Sequence, residues 1–222
     1  MPLSSADLYE LWEPHAERLK AKTGRHPTDL RLYRANSWLS VAEQQPDDDT
    51  RLMFFWISLN ALYGRWDSQD GSSKPDRKSL GTFIKKLWSS AGDDGRAALI
   101  KVLTNRQPQV LDILSNRFLE GCFWKDPSIQ AADRSTQASR SAQLDFVDGN
   151  FLRLLDQTLY YIYFLRCQIV HGGATHASSM NRSAVEPAVV FLAEVVPVIH
   201  EVMINHGADL DWGEACYAPV DE

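Results

Sequence analysis

The chain has 222 residues, 44% hydrophobic and 23% charged, and carries a formal net charge of −6. That composition excludes disorder throughout and suffices for one filled core, or a core with an appendage. Cys122, Cys167 and Cys216 are odd in number, widely separated and without a Cys-x-x-Cys pair, which argues against a disulfide framework and a zinc site and leaves three reduced core thiols.

Met1 to Lys20 alternates charged and apolar residues and has no apolar block ahead of a small-residue cleavage site, so no secretory signal is expected. The longest uninterrupted apolar run, Leu159 to Leu165, falls short of the ~18 residues a membrane span needs. A soluble, cytoplasmic protein without membrane contact is the expectation. Leu32, Ala35, Leu39 and Ala42 fall at helical spacing. Asp47-Asp48-Asp49-Thr50 after Pro46 predicts a helix start, its carboxylates serving as caps at the positive end of the dipole rather than as metal ligands. Leu52 to Tyr63 is apolar on nearly every face, which predicts the central helix of a bundle. Ser58 and Asn60 are its only polar side chains, and Gly64 marks its stop.

Two polar stretches, Arg65 to Ser79 and Lys125 to Gln143, predict loops. Between them, Leu80 to Trp124 predicts short helices broken near Gly92, Gly95 and Pro108, an insertion packed on the bundle. Phe151 to Val170 predicts a second buried helix, ended by Gly172-Gly173. Val185, Val189, Leu192, Val196, Ile199 and Met203 repeat at steps of four and three, and Pro197 should kink that helix or divide it in two. The chain therefore predicts an all-α fold: a single helical domain over 1–206, with its core at about 30–64 and 147–206, a helical insertion at about 80–124, and an acidic C-terminal tail at 207–222. No fixed-period repeat is present.

The charge is uneven. From Lys74 to Arg117 nine Lys or Arg residues face four Asp, a net of +5, whereas Glu201 to Glu222 holds six acids and no Lys or Arg. A basic surface on an acidic protein can attract phosphate, and an ordinary solvated helix face gives the same count. Lys85 and Lys86 lie in this stretch. The seven Trp residues are read as core and interface filling rather than as stacking platforms. No Gly-x-Ser-x-Gly, Gly-x-Gly-x-x-Gly or phosphate-loop pattern occurs. His15, His26, His200 and His206 show no ligand spacing, so no metal and no cofactor is assigned.

Arg166 and His171 close the long apolar run Tyr160-Tyr161-Ile162-Tyr163-Phe164-Leu165. A guanidinium that keeps its proton beside an imidazole that titrates near neutrality is minimal equipment for a phosphodiester. Five residues apart on a helix, the two would point about 140° from each other. A helix ending at Val170 or His171, with a turn at Gly172-Gly173, would release His171 toward the arginine. The bland alternative is that Arg166 pairs with an acid at the bundle end while His171 caps the helix.

The run Arg166-Cys167-Gln168-Ile169-Val170-His171-Gly172 at the end of an apolar helix resembles the signature of the HEPN superfamily, and Phe54 to Gly64 looks like the earlier core helix of that fold. The likeness spans roughly Leu30 to His206. It implies a metal-independent endoribonuclease acting as a homodimer, in which a ribose 2′-hydroxyl attacks the adjacent phosphorus to leave a 2′,3′-cyclic phosphate. On that basis His171 is the general acid or base, Arg166 stabilises phosphoryl charge, and Asn60 is an orienting partner. Cys167 stands where many members carry Asn, Asp or His, and Gly173 stands where a subset carries Tyr. His176 and Arg182 are further candidates for phosphate contact. RNA is the implied partner, with an antitoxin or regulatory protein as a second one. The alternative is a non-catalytic module of the same fold that binds a nucleotide, RNA or a protein.

Overall fold

The computed structural model describes residues 2–23, 26–67, 69–121, 123, 125–126, 129–177 and 182–217. The fold is all-α. In chain order the elements are α1 (Ser5–Thr23), α2 (Pro27–Glu43), α3 (Asp48–Tyr63), a two-stranded antiparallel ribbon of β1 (Trp66–Asp67) and β2 (Ser72–Ser73), α4 (Asp76–Ser90), α5 (Gly92–Asn105), α6 (Gln107–Ser115), a 3-10 turn at Arg117–Leu119, α7 (Ile129–Asp148), α8 (Phe151–Val170) and α9 (Arg182–Gly207).

α9 is the hub, packing against α1 to α6 and α8, whereas the expected central helix, α3, is sandwiched chiefly between α2 and α9. By length and apolarity the span Ser183–Gly207 could cross a membrane, yet most of it is buried inside the protein, as a core helix requires. It runs as one helix through both Pro187 and Pro197, so Pro197 does not divide it. Apolar neighbours on every side hold the segment helical despite the lost hydrogen bond. α4, α5 and α6 contribute Leu87, Leu99, Leu103, Val110 and Ile113 to the same core as α3 and α9. Gly95 lies inside α5 and Pro108 in the first turn of α6, where its missing N–H costs nothing.

Most of the stretch expected as a loop at Lys125–Gln143 belongs to α7. Its Ser, Ala, Gln and Arg residues include no Gly or Pro from 129 to 148, and Ala, Gln and Arg are good helix formers. Ala142 seats the helix in the core. Likewise 208–217 packs against the body, with Ala208, Trp212 and Ala215 buried; 218–222 lie outside the described residues.

Local signals account for the helix ends. The Asp47 carboxylate accepts from the Thr50 N–H at 2.9 Å and the Thr50 hydroxyl at 2.7 Å, capping α3. Gly64 ends α3 without left-handed backbone; a side chain there would put Cβ 2.9 Å from the Asn60 carbonyl oxygen. Gly172, at φ +73°, supplies the left-handed turn after α8.

Two buried polar groups wire the bundle. Arg31 of α2, 1% exposed, donates to the carbonyls of Leu62, Gly64, Trp212, Gly213 and Glu214. Burial lowers its pKa to about 10, so it stays charged at neutral pH. His200 of α9, fully enclosed, lies 3.2 Å from the Ser58 hydroxyl, which donates its proton to the Ala35 carbonyl at 2.7 Å. Ser58 can then only accept from the ring, which puts the imidazole proton on Nε2. Desolvation pushes the His200 pKa down to about 3.

Two outcomes are expected. Replacing Arg31 by Met strands several buried carbonyls and should cost about 3 kcal/mol or more in denaturant unfolding. The unfolded chain binds a proton at His200 near its ordinary pKa of 6.5 while the folded chain does not, so stability is intact above pH 6.5 and declines as pH falls from 6.5 toward about 3. Urea titrations across that window should show a flatter decline for His200→Gln; equal slopes would acquit this ring.

Candidate functional site

The C-terminal ends of α3 and α8 and the first turn of α4 converge on a cleft of about 620 Å³. Asn60 and Gly64 from α3, Asp76 from α4 and Arg166 from α8 line it, with Arg31 and Arg34 from α2 on the far side. Arg65 and Lys74 flank the two strands of the ribbon, and Cys216 and Tyr217 come from the C-terminal segment.

Arg166 Nη1 stands 3.7 Å from Asp76 Oδ2 and 3.9 Å from Cys167 Sγ. Asn60 Nδ2 donates to the other carboxylate oxygen, Asp76 Oδ1, at 2.8 Å. With its amide nitrogen committed, Asn60 presents a carbonyl oxygen as its remaining acceptor. The sequence-predicted pair Arg166 and Asn60 is thus brought together, and the residue joining them is Asp76. Tyr63 lies buried beneath them, beside Asp76 and Asn60. Burial first, and then the negative charge of Asp76, raise its pKa well above the ordinary value, so it remains a neutral donor. Burial also raises the pKa of Tyr163, with a hydrogen bond to Cys167 as the second cause.

The other sequence-predicted residues lie elsewhere. His171 caps α8, its N–H donating to the Cys167 carbonyl at 3.0 Å; its side chain is exposed and is not among those lining the cleft. His176 sits at the opposite end of α3, its Nε2 3.4 Å from Asp47 Oδ1, while the Ala177 N–H donates to Asp49 at 2.8 Å. Thirteen residues of helix, about 20 Å, separate that end from Asn60. Asp47, Asp49 and His176 could offer three ligand atoms within 4.8 Å of one another, but Asp47 is committed to Thr50 and Asp49 to the Ala177 amide, so the group anchors the chain after α8 to the start of α3. Lys86 donates to the Asp211 carbonyl and lies over the Trp212 ring, fixing the C-terminal segment. Lys85 is exposed on α4 near Asp156, whose pKa burial raises and Lys85 partly restores. The Arg182 side chain, Cys122 and Trp124 lie outside the described residues. Cys167 and Cys216 are free, half-buried thiols, Cys216 lining the cleft and Cys167 beside Arg166.

Asp76, Arg34, Arg65, Lys74 and Cys216 escape sequence reasoning. Two signals could have found some of them. Lys74-Pro75-Asp76 is a helix-start pattern, and Arg31, Arg34 and Trp38 fall at spacings of three and four on one face of α2.

Among the described residues lining the cleft, Arg34, Arg65, Lys74 and Arg166 are cationic and Asp76 is the one carboxylate; Lys74 is paired outside the lining with Asp67 at 3.1 Å. Arg34 donates to the Cys216 and Tyr217 carbonyls at 2.6 and 2.7 Å, neutral acceptors that leave its charge uncompensated. Such a cleft favours an anion, and low-dielectric walls strengthen the attraction. No family model, no curated protein and no solved structure matches this chain.

Asp76 both orients Arg166 and competes with an incoming anion. Asp76→Asn should therefore tighten binding of a single-stranded oligodeoxynucleotide a few-fold at low ionic strength, while the thermal unfolding free energy falls by no more than about 1 kcal/mol. Fluorescence anisotropy reads the first and calorimetry the second. Weaker binding would assign Asp76 to positioning alone.

Proposed function

We propose that this chain is an endoribonuclease of HEPN type, with Arg166 as the phosphate-binding cation and His171 as the general acid or base. The observation that supports it most is the Arg166 guanidinium, held by Asp76 and Cys167 at the rim of a cationic cleft, with the exposed His171 ring five residues further on at the end of the same helix. In the proposed reaction the ribose 2′-oxygen forms a bond to the adjacent phosphorus as the bond from phosphorus to the 5′-oxygen breaks. The 2′-hydroxyl proton passes to a base, and the leaving 5′-oxygen takes a proton from an acid. Products are a 2′,3′-cyclic phosphate and a 5′-hydroxyl. His171 serves one of these transfers, and Arg166 balances the charge that develops on the phosphoryl oxygens. A second copy of the chain would bring a second Arg166 and His171 to the reacting phosphate, so a homodimer is part of the proposal, as is RNA as substrate. Toxin or defence activity, held in check by an antitoxin, is the biological setting that the HEPN resemblance implies.

A second reading has its own support: Arg166 pairs with an acid and His171 caps α8 away from the lining of the cleft, an arrangement suited to a module that binds RNA or a nucleotide without cutting it. One assay separates the two. Generic single-stranded RNA is incubated in excess chelator with wild type, His171→Ala and Arg166→Ala, and cyclic-phosphate ends are counted. The endoribonuclease is expected to lose about a hundredfold or more of its rate with either substitution. Equal rates in all three proteins would remove the catalytic assignment, and binding without any cleavage by wild type would favour the second reading.

A further inference from the structure

Phosphate chemistry leaves one wall of the cleft unexplained. Arg31, Arg34 and Trp38 occupy successive turns of one face of α2 and line the cleft together. Arg31 is spent on buried carbonyls, and Arg34 supplies uncompensated charge. Trp38 supplies neither. Its ring is stacked on Phe54 at a centroid separation of 5.5 Å and an interplanar angle of 19°, which covers one face, and the residue nevertheless keeps 38% of its surface exposed at the cleft. Core filling accounts for Trp12, Trp56 and Trp212, all buried, and does not account for a tryptophan braced from behind and open in front.

A large ring already held by a neighbour loses little freedom when a second flat ring settles on it, and base–aromatic stacking tolerates any base because every base has a π-face. Four residues separate Arg34 from Trp38, about 6 Å along the helix, a separation that one sugar can bridge between a phosphate and its base. Tyr217 adds a second aromatic edge, tilted against Trp66 at 5.5 Å. The cleft thus offers cations at one end and a flat apolar face at the other, the sequence of groups met along a single-stranded polynucleotide.

We infer that Trp38 is a base-stacking platform: one nucleobase of a single-stranded nucleic acid lies on its open face, and the adjoining phosphates are taken by Arg34 and Arg166. The assignment rests on reading the cleft as a polynucleotide site and adds the side chain that holds a base. Stacking of this kind tolerates any base and carries no Watson–Crick specificity.

The test uses two labelled ten-nucleotide strands of deoxyribose, which lack the 2′-hydroxyl needed for cleavage: one of adenine and one abasic, with identical phosphates. Fluorescence anisotropy on the full chain is expected to show wild type binding the adenine strand about tenfold tighter than the abasic one. Trp38→Leu should abolish that margin without changing affinity for the abasic strand, and Trp38→Phe should retain most of it. If Trp38→Leu proves unfolded by circular dichroism, Trp38→Gln removes the ring with a side chain suited to partial exposure. The inference is overturned if wild type does not distinguish the strands, if neither strand binds, or if removal of the ring leaves the margin intact or weakens both strands equally. Because neither strand can be cut, loss of the margin leaves the ribonuclease assignment standing, and absence of RNA cleavage leaves the margin measurable.

Discussion

The buried guanidinium of Arg31 is the constraint on which the cleft depends. Taking a permanent charge out of water costs several kcal/mol, and here the cost is offset by carbonyl oxygens drawn from the end of α3 and from residues 212–214. The α3 carbonyls are those a helix leaves without intrahelical partners at its C-terminus, so one side chain satisfies them and anchors a remote segment at once. With that segment fixed, the Trp66 N–H donates to the Glu214 carbonyl, Arg34 reaches the Cys216 and Tyr217 carbonyls, and Gly64 is pressed against the Asn60 carbonyl. Each of these contacts sets a wall of the space into which Asn60, Asp76 and Arg166 project.

Charge counted along the chain is a poor guide to the field this arrangement makes. Of the basic residues between Lys74 and Arg117, Arg96 pairs with Asp93, Arg106 with Glu194, Lys86 covers Trp212, and Arg117 lies over Phe118 and Phe123. The cleft takes only Lys74 from that stretch; Arg34, Arg65 and Arg166 come from outside it. Cations gathered from separate elements by the fold, rather than a local surplus along the chain, create the anion-attracting surface.

Where a local rule controls the backbone, the sequence was legible. Asp47 caps α3, Gly172 turns the chain after α8, the apolar spacings of α2, α3 and α8 give helices, and α3 and α8 end where expected. Features set by tertiary packing were not. Polar composition hides α7, whose helicity is stabilised by packing against α6 and α8, and of the two effects expected of Pro197 the division of α9 does not occur. The acidic residues after Gly207 conceal Trp212 and Ala215, which bury themselves against the body. At the site, Arg166 and Asn60 could be named because each stands out on an apolar helix, whereas Asp76 looks like any acid in a first helical turn until the fold carries it to them.

The contacts that complete the cleft join residues 181 to 183 positions apart. Closing so long a loop is entropically costly and follows the assembly of more local structure. Arg31 meets the Leu62 and Gly64 carbonyls nearby in the chain, but its other three carbonyl partners come from residues 212–214. The last wall of the pocket is therefore a product of long-range closure, set by residues 212–217 rather than by any local element.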